Sequence, residues 1–375
     1  MALRTDWNGV FPAMVTPFRE NGSFDEASFK ALIELYISEG VKGVVVTGST
    51  GEWYSMSDAE RATVWEVAVE ASSGRITVIA GTSAVGTREA LALTRTAKAV
   101  GVDGCMLLPP GGIFAARNEV VNYFHTLAGV GLPIMVYNNP PRTGVNMDAD
   151  MVAEIAKAEE IVSFKDSNRD LYAASEIIYR VCDKLAVFTG LEPYASSVLP
   201  RGAVGVVSTI SNVCAANMVS YYNAVISGDS ATAYKTQKLI DQLYHFLPTL
   251  GAPAFVSVKA AMKLLGRPGG EIRLPHLPAN EALIGKLREE LRRLKMSDVN
   301  KSVPMRPSRQ LEVVVMVSDP MFTGGHLVPV GCRSRRRLNQ TTDTSVVNST
   351  ASKLRHSKDE FGLVWPLIVS ARASS

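Results

Sequence analysis

The chain has 375 residues, 46% hydrophobic and 20% charged, with a net charge of +3. This is an ordinary globular composition, with length for one large α/β domain of ~250–300 residues plus an added segment, or for two smaller domains. The small net charge gives no ground for a nucleic-acid partner, and no uninterrupted apolar stretch reaches the ~18 residues of a membrane span.

The opening residues, Met1 to Trp7, hold no apolar run of signal-peptide length. Four cysteines (Cys105, Cys182, Cys214 and Cys332) lie far apart with no CxxC pair, which predicts free thiols in a reducing, cytoplasmic setting. Eight short apolar runs recur along the chain, at 10–16, 43–47, 76–80, 104–108, 133–137, 161–165, 185–189 and 204–208. Each reads as a buried strand. Between them, helical periodicity predicts helices over 25–38, 87–99, 118–127, 148–158 and 170–181. A further helix starts at Ser57, where Glu60 completes a capping box. Strands alternating with helices pair in parallel, and eight such units predict a closed (β/α)8 TIM barrel over 1–210. No Gly-x-Gly-x-x-Gly turn follows the first strand, which disfavours a dinucleotide-binding sheet.

Four more helical patterns, at 213–226, 230–247, 253–265 and 280–294, exceed one barrel ring and predict a C-terminal helical extension over 211–296. From residue 297 the periodicity fades. Residues 297–375 carry 11 Lys/Arg against 6 Asp/Glu, including Arg333, Arg335, Arg336 and Arg337, and are expected to form a solvated, disordered tail. Within it, Leu311 to Val317 is a strand-like apolar run that either packs on the barrel or is an aggregation hazard.

In a barrel of this type the C-terminal strand ends share one mouth. Lys165 ends the sixth strand. Burial of such an amine disfavours its charged form and frees the lone pair for attack on a carbonyl; the competing reading is a strand-end lysine snorkelling to solvent. Gly48-Ser49-Thr50-Gly51-Glu52 follows the second strand. Its glycines let backbone N–H groups turn toward an anion, with Ser49 and Thr50 hydroxyls beside them, as suits a small carboxylate; an ordinary strand-to-helix turn has the same composition. Tyr137 ends the fifth strand, where a phenol can ferry protons or simply pack the rim. Arg142, in a loop stiffened by Pro140 and Pro141, can fork onto a carboxylate or stay solvated. Gly190, after the seventh strand, permits close approach of a substrate or makes a simple turn. Ile210, just past the eighth, completes the set of substrate-contact candidates.

These residues resemble the dihydrodipicolinate synthase / N-acetylneuraminate lyase family of class I, Schiff-base aldolases. Thr16-Pro17-Phe18, Gly48 to Glu52, Tyr137-Asn138-x-Pro140, Thr143-Gly144 and Lys165-Asp166-Ser167 stand in the family's order, from about Gly9 to Leu294. The resemblance implies a (β/α)8 barrel with a helical extension, assembled as a homotetramer or dimer. It implies Lys165 as the imine-forming lysine and Tyr137 as the proton relay, with the Ser49 or Thr50 hydroxyl as the phenol's neighbour. Ser49, Thr50 and Gly51 would bind the carboxylate of pyruvate or another 2-oxo acid, with an aldehyde as second substrate. No cofactor is implied, since the iminium is the electron sink. His125, His245, His276, His326 and His356 are scattered without metal-ligand spacing, so a metal-dependent aldolase is disfavoured.

Within the family, Arg142 is similar to the arginine that holds aspartate semialdehyde in the synthases. The loop Pro109-Pro110-Gly111-Gly112-Ile113-Phe114 departs from them, because glycine falls where they carry a relay tyrosine given to a neighbouring subunit. Trp53 and Tyr54 add bulk after Glu52. The synthase is the best single match. The alternatives are a 2-keto-3-deoxy sugar-acid aldolase or dehydratase and, in another class, a catalytically inactive barrel scaffold.

Overall fold

Eight short strands, each an apolar run ended by small or polar residues, pair in parallel. They are β1 (Gly9–Pro12), β2 (Gly43–Val46), β3 (Thr77–Gly81), β4 (Gly104–Leu107), β5 (Ile134–Asn138), β6 (Ile161–Asp166), β7 (Ala186–Thr189) and β8 (Gly205–Ser208). The hydrogen-bonded order runs β1-β8-β7-β6-β5-β4-β3-β2. The ring closes through one parallel bridge, Ala13 to Val45, where the Met14 N–H donates to the Val45 carbonyl at 3.0 Å. The architecture is therefore a (β/α)8 TIM barrel. The computed structural model describes residues 6–112, 115–250 and 254–296, with the backbone of four three-residue strands farther on.

The helices are α1 (Glu26–Ser38), α2 (Asp58–Ser72), α3 (Thr87–Val100), α4 (Arg117–Ala128), α5 (Pro140–Thr143), α6 (Ala149–Ile155), α7 (Leu171–Val181), α8 (Ala195–Val198), α9 (Ser211–Ser227), α10 (Ser230–Phe246), α11 (Ala254–Leu264) and α12 (Glu281–Arg293). Their starts are set locally. Asp25, Ser57, Asp148, Asp170, Asp229 and Asn280 each accept a hydrogen bond from an amide of the first turn, and Ser57 with Glu60 forms the capping box. Two one-turn helices escape a reading by periodicity. One of them, α5, starts on the Pro140-Pro141 pair, whose fixed φ suits the first helical positions.

Two apolar layers result. Outside the strands, residues such as Phe29, Trp65, Phe124, Phe164 and Ile177 pack between sheet and helices. Inside the ring lie Phe11, Val45, Ile79, Met106, Met135 and Phe188. The interior is a packed core, so chemistry is confined to the mouth formed by the strand C-terminal ends. Helix α9 packs on β1 and α10 on α9, which ties the helical C-terminal part to the barrel.

Contacts divide the chain into two units, Met1–Val303 and Pro304–Ser375. In the second, β9 (Glu312–Val314) pairs antiparallel with β12 (Ser370–Arg372), and β10 (Met321–Thr323) with β11 (His326–Val328). The strand-like run at 311–317 thus contains a strand at Glu312–Val314. Apart from these strands, the tail expected to be disordered, with its arginine cluster, lies outside the described residues. Among the described residues, no helix is long and apolar enough to cross a membrane.

Candidate active site

Lys165 and Tyr137 are register partners on the adjacent strands β6 and β5. Both are buried, and the lysine Nζ lies 3.8 Å from the centroid of the phenol ring. A local irregularity aims the lysine. Ile134 pairs with Ile161 but Met135 pairs with Ser163, so β6 carries one extra residue, a bulge. Ile161 and Phe164, three positions apart, both face the outer layer, whereas Val162 faces the interior. Strict alternation from Ile161 would send Lys165 outward with it. The bulge shifts the phase by one and turns the amine into the ring.

The phenol oxygen of Tyr137 accepts from Asn139 Nδ2 at 2.7 Å, and the Ser167 hydroxyl stands against it. Burial pulls this phenol's pKa up. The Lys165 charge, the Ser167 and Asn139 hydrogen bonds and the Arg142 charge outweigh that effect and hold it below its ordinary value. A phenol so placed can give up its proton and, as phenolate, take one from the neighbouring nitrogen and pass it to a reacting oxygen. The polar neighbours of the phenol oxygen are therefore the Asn139 amide and the Ser167 hydroxyl. The Thr50 hydroxyl instead lies 3.4 Å from that of Thr209, at the end of β8.

The turn after β2 is tightly built. The Gly51 N–H donates to the Gly48 carbonyl at 3.0 Å and Thr16 Oγ1 donates to the Gly51 carbonyl at 2.9 Å. The N–H groups of Ser49 and Thr50 donate to nothing among the described residues, which leaves them available to an anion. Gly51 is required sterically, since a Cβ there would lie 2.8 Å from the Met14 carbonyl oxygen. Two non-glycine residues in left-handed backbone bracket the turn, Thr47 at φ 49° and Glu52 at φ 60°. Each such residue costs on the order of 1–3 kcal/mol and persists only where its surroundings over-determine it.

Around this centre the other sequence candidates take different places. Arg142 is exposed, and its charge reaches both the Tyr137 and the Tyr54 phenols. The Tyr54 hydroxyl is buried without a hydrogen-bond partner among the described residues, and burial, then the Glu52 charge, raises its pKa. Gly190 packs directly on the lysine stem, with its N–H on the Asp166 carbonyl at 2.6 Å. Ile210 belongs to the outer core layer and its N–H donates to Glu192 at 3.0 Å. Glu192 is a residue that sequence reasoning passed over as part of a turn. Its buried Oε1 also accepts from Ser208 Oγ and the Thr209 N–H, fixing the end of β8. Among the described residues no group of three His, Cys, Asp or Glu side chains is placed to hold a metal ion.

Asp166, beside the lysine, faces the opposite side of β6. Its Oδ1 accepts from Asn138 Nδ2 and the Asn168 N–H, both at 3.0 Å, while Oδ2 has no partner among the described residues. Burial pushes its carboxyl up to about 6, against those two hydrogen bonds. A raised folded-state pKa stabilises the fold at low pH, and that contribution is lost as pH rises through about 6. Asp166→Asn is therefore expected to gain stability over wild type between pH 3.5 and 7, by about 3 kcal/mol. Urea unfolding of both proteins across that range measures the difference, and parallel curves would contradict it.

Comparison with known proteins places this geometry in a family. A profile of the Dihydrodipicolinate synthetase family matches residues 6–294. An uncharacterized DapA-like lyase of Rhizobium meliloti is 98% identical over 300 residues, which cover 80% of this chain and 100% of that protein. A 4-hydroxy-tetrahydrodipicolinate synthase of Syntrophobacter fumaroxidans is 36% identical over 289 residues, covering 76% of this chain and 98% of the relative. Among solved structures, dihydrodipicolinate synthase from Aquifex aeolicus superposes with a TM-score of 0.74 at 32% identity, over 79% of this chain and 100% of that one. A prophage protein of the dihydrodipicolinic acid synthase family from E. coli K12, solved in complex with pyruvate, superposes at 0.73 with 27% identity, over 78% of this chain and 99% of its own.

Proposed function

The chain belongs to the dihydrodipicolinate synthetase family, and from that membership we propose that it is a lyase working through a lysine imine on pyruvate or a longer 2-oxo acid. The observation that carries this reading is the buried Lys165 amine, 3.8 Å from the Tyr137 ring centroid. Neutral Lys165 Nζ adds to C2 of the keto acid, and the resulting hydroxyl leaves as water to give a protonated imine. The iminium draws electrons from C3, which releases a proton or a carbon fragment and becomes the enamine carbon. That carbon then attacks an aldehyde, or in reverse an aldol product splits. Tyr137 exchanges protons with the lysine nitrogen and the departing oxygen, a role its acidified phenol suits. The Ser49 and Thr50 N–H groups hold the carboxylate and so turn the carbonyl toward the amine.

The relatives named 4-hydroxy-tetrahydrodipicolinate synthase support a synthase reading; aspartate semialdehyde as second substrate, with its carboxylate on Arg142, is what the family resemblance implies. The loop at Gly111-Gly112 favours a second reading. A Cβ at Gly111 would lie 3.5 Å from Thr143 Cα, so this loop borders the Arg142 segment while offering it no side chain. With Trp53 and Tyr54 beside Glu52, this departure from the synthases favours a 2-keto-3-deoxy sugar acid, cleaved or dehydrated by the same imine. We take the working form to be a cytoplasmic homotetramer or dimer, as the family resemblance implies. Pyruvate followed by borohydride is expected to add one reduced pyruvyl group at Lys165, seen by intact mass and peptide mapping. The absence of an adduct with any 2-oxo acid would instead indicate an inactive barrel. Assays with aspartate semialdehyde against deoxy-keto sugar acids separate the two substrate readings.

A further inference from the structure

A second buried lysine lies at the same barrel mouth. Lys259 comes from α11 in the C-terminal part, is 4% exposed, and meets three oxygens, two by hydrogen bonds and one as an ion pair. Its Nζ lies 2.5 Å from Glu52 Oε1 and donates to the carbonyls of Thr16 and Glu271, each at 2.7 Å. Glu52 is wholly buried, and its Oε2 accepts from the Arg273 N–H at 3.0 Å. Arg273 continues the clamp, since its guanidinium donates to the carbonyls of Gly22 and Ser55 and to Glu60. Thr16, whose carbonyl holds Lys259, also donates its own hydroxyl to the Gly51 carbonyl.

The two strained ends of the substrate turn are thus held from different directions. Thr47 is pinned within the barrel, its hydroxyl accepting from Trp65 Nε1 at 2.7 Å and donating to the Gly81 carbonyl at 3.2 Å. Glu52, at the other end, is pinned by Lys259 and by the Arg273 amide, both supplied after the barrel is complete. The open N–H groups of Ser49 and Thr50 lie between these two anchors.

We propose that Lys259 and Arg273 are positioning residues for the proposed reaction: through Glu52 the C-terminal segment sets the aim of the Ser49 and Thr50 amides, and with it the affinity for the carboxylate of a 2-oxo acid. The inference rests on the lysine-imine reading above and concerns a different set of groups. It explains how a helical addition far from the lysine in sequence takes part in substrate selection. Burial lowers the Lys259 pKa, against the opposing Glu52 charge.

The test compares two carbonyl compounds trapped on Lys165 by borohydride. Pyruvate carries the carboxylate; acetaldehyde does not. Two variants are used. The double variant Glu52→Gln/Lys259→Met neutralises both partners and strands neither charge, and Glu52→Asp keeps the ion pair while drawing the turn toward it by one methylene. Each is expected to raise the half-saturating pyruvate concentration for trapping at least tenfold, with full trapping at saturation and acetaldehyde trapping within twofold of wild type. A half-saturation for pyruvate within twofold of wild type, in whichever variant folds by circular dichroism, overturns the proposal. So does an equal loss with both compounds, which would mark a general structural disturbance. If wild type itself traps no 2-oxo acid, the imine reading falls and takes this one with it; normal wild-type trapping with unresponsive variants removes only the positioning role.

Discussion

Lys165→Ala is expected to abolish turnover, by at least about 10⁴-fold or roughly 5.5 kcal/mol of transition-state stabilisation, and to abolish borohydride-dependent capture of pyruvate. Among the described residues the other buried lysine, Lys259, is held by the Thr16 and Glu271 carbonyls and paired with the Glu52 carboxylate. The fold is expected to survive, because among the described residues Lys165 has no carboxylate partner whose charge would be stranded, and its neighbour on the ring side is the Tyr137 face. The variant carries its own internal check. The Lys165 charge is the largest influence lowering the Tyr137 pKa, so its removal is expected to shift phenol ionisation upward in an ultraviolet titration. Mass spectrometry after pyruvate and borohydride, an aldehyde-coupled rate and a thermal melt together decide the matter. Activity within tenfold of wild type in Lys165→Ala would remove the imine mechanism.

Much of the barrel is legible because its signals are local. The eight apolar runs mark the eight strands to within a few residues, and Ser57 with Glu60 marks the start of α2 by the side-chain geometry that caps it. The lysine and the phenol are legible as partners because they end neighbouring parallel strands, which the alternation of elements already orders. What local patterns do not carry is the reason Lys165 faces inward. Counting by twos from Ile161 puts it outside, and only the extra residue opposite Met135 reverses that. Long-range contacts are equally silent. Lys259 reaches Thr16 across 243 positions, and the Arg273 amide reaches Glu52 across 221, so nothing near either residue announces the pairing. The Gly48–Glu52 turn is recognisable by composition; the strain at Thr47 and Glu52 and the clamp that sustains it depend on contacts distant in sequence. The polar neighbours of the phenol oxygen belong to the same class. Asn139 and Ser167 lie two and thirty positions from Tyr137, and their convergence depends on how β5 and β6 end side by side.

Gly190→Ala is expected to lower kcat/KM at least about 10²-fold, the scale of a misplacement near 1 Å at a reacting group, for a purely steric reason. A Cβ at this position would lie 2.1 Å from Ser167 Oγ, 2.8 Å from Lys165 Cε and 3.2 Å from the Asp166 carbonyl oxygen. The first contact involves a hydroxyl that stands against the Tyr137 oxygen, so rotating it away unsettles the proton relay. The second pushes the carbon that bears the nucleophilic nitrogen. The backbone has little freedom to retreat, because the Gly190 N–H is tied to the Asp166 carbonyl at 2.6 Å and β6 and β7 are in register through Asp166 and Thr189. Relief must come from the Ser167 and Lys165 side chains themselves, while overpacking costs the fold only about 1–3 kcal/mol. The loss is therefore expected in the rate of imine trapping more than in the melting temperature. Gly285→Ala, at an exposed position in α12 where an added Cβ meets nothing within 4 Å, is the matched control and should leave activity unchanged. A Gly190→Ala enzyme within threefold of wild type in trapping rate and kcat/KM would mean that the lysine stem has room to spare, and that its place over the phenol is not what sets its reactivity.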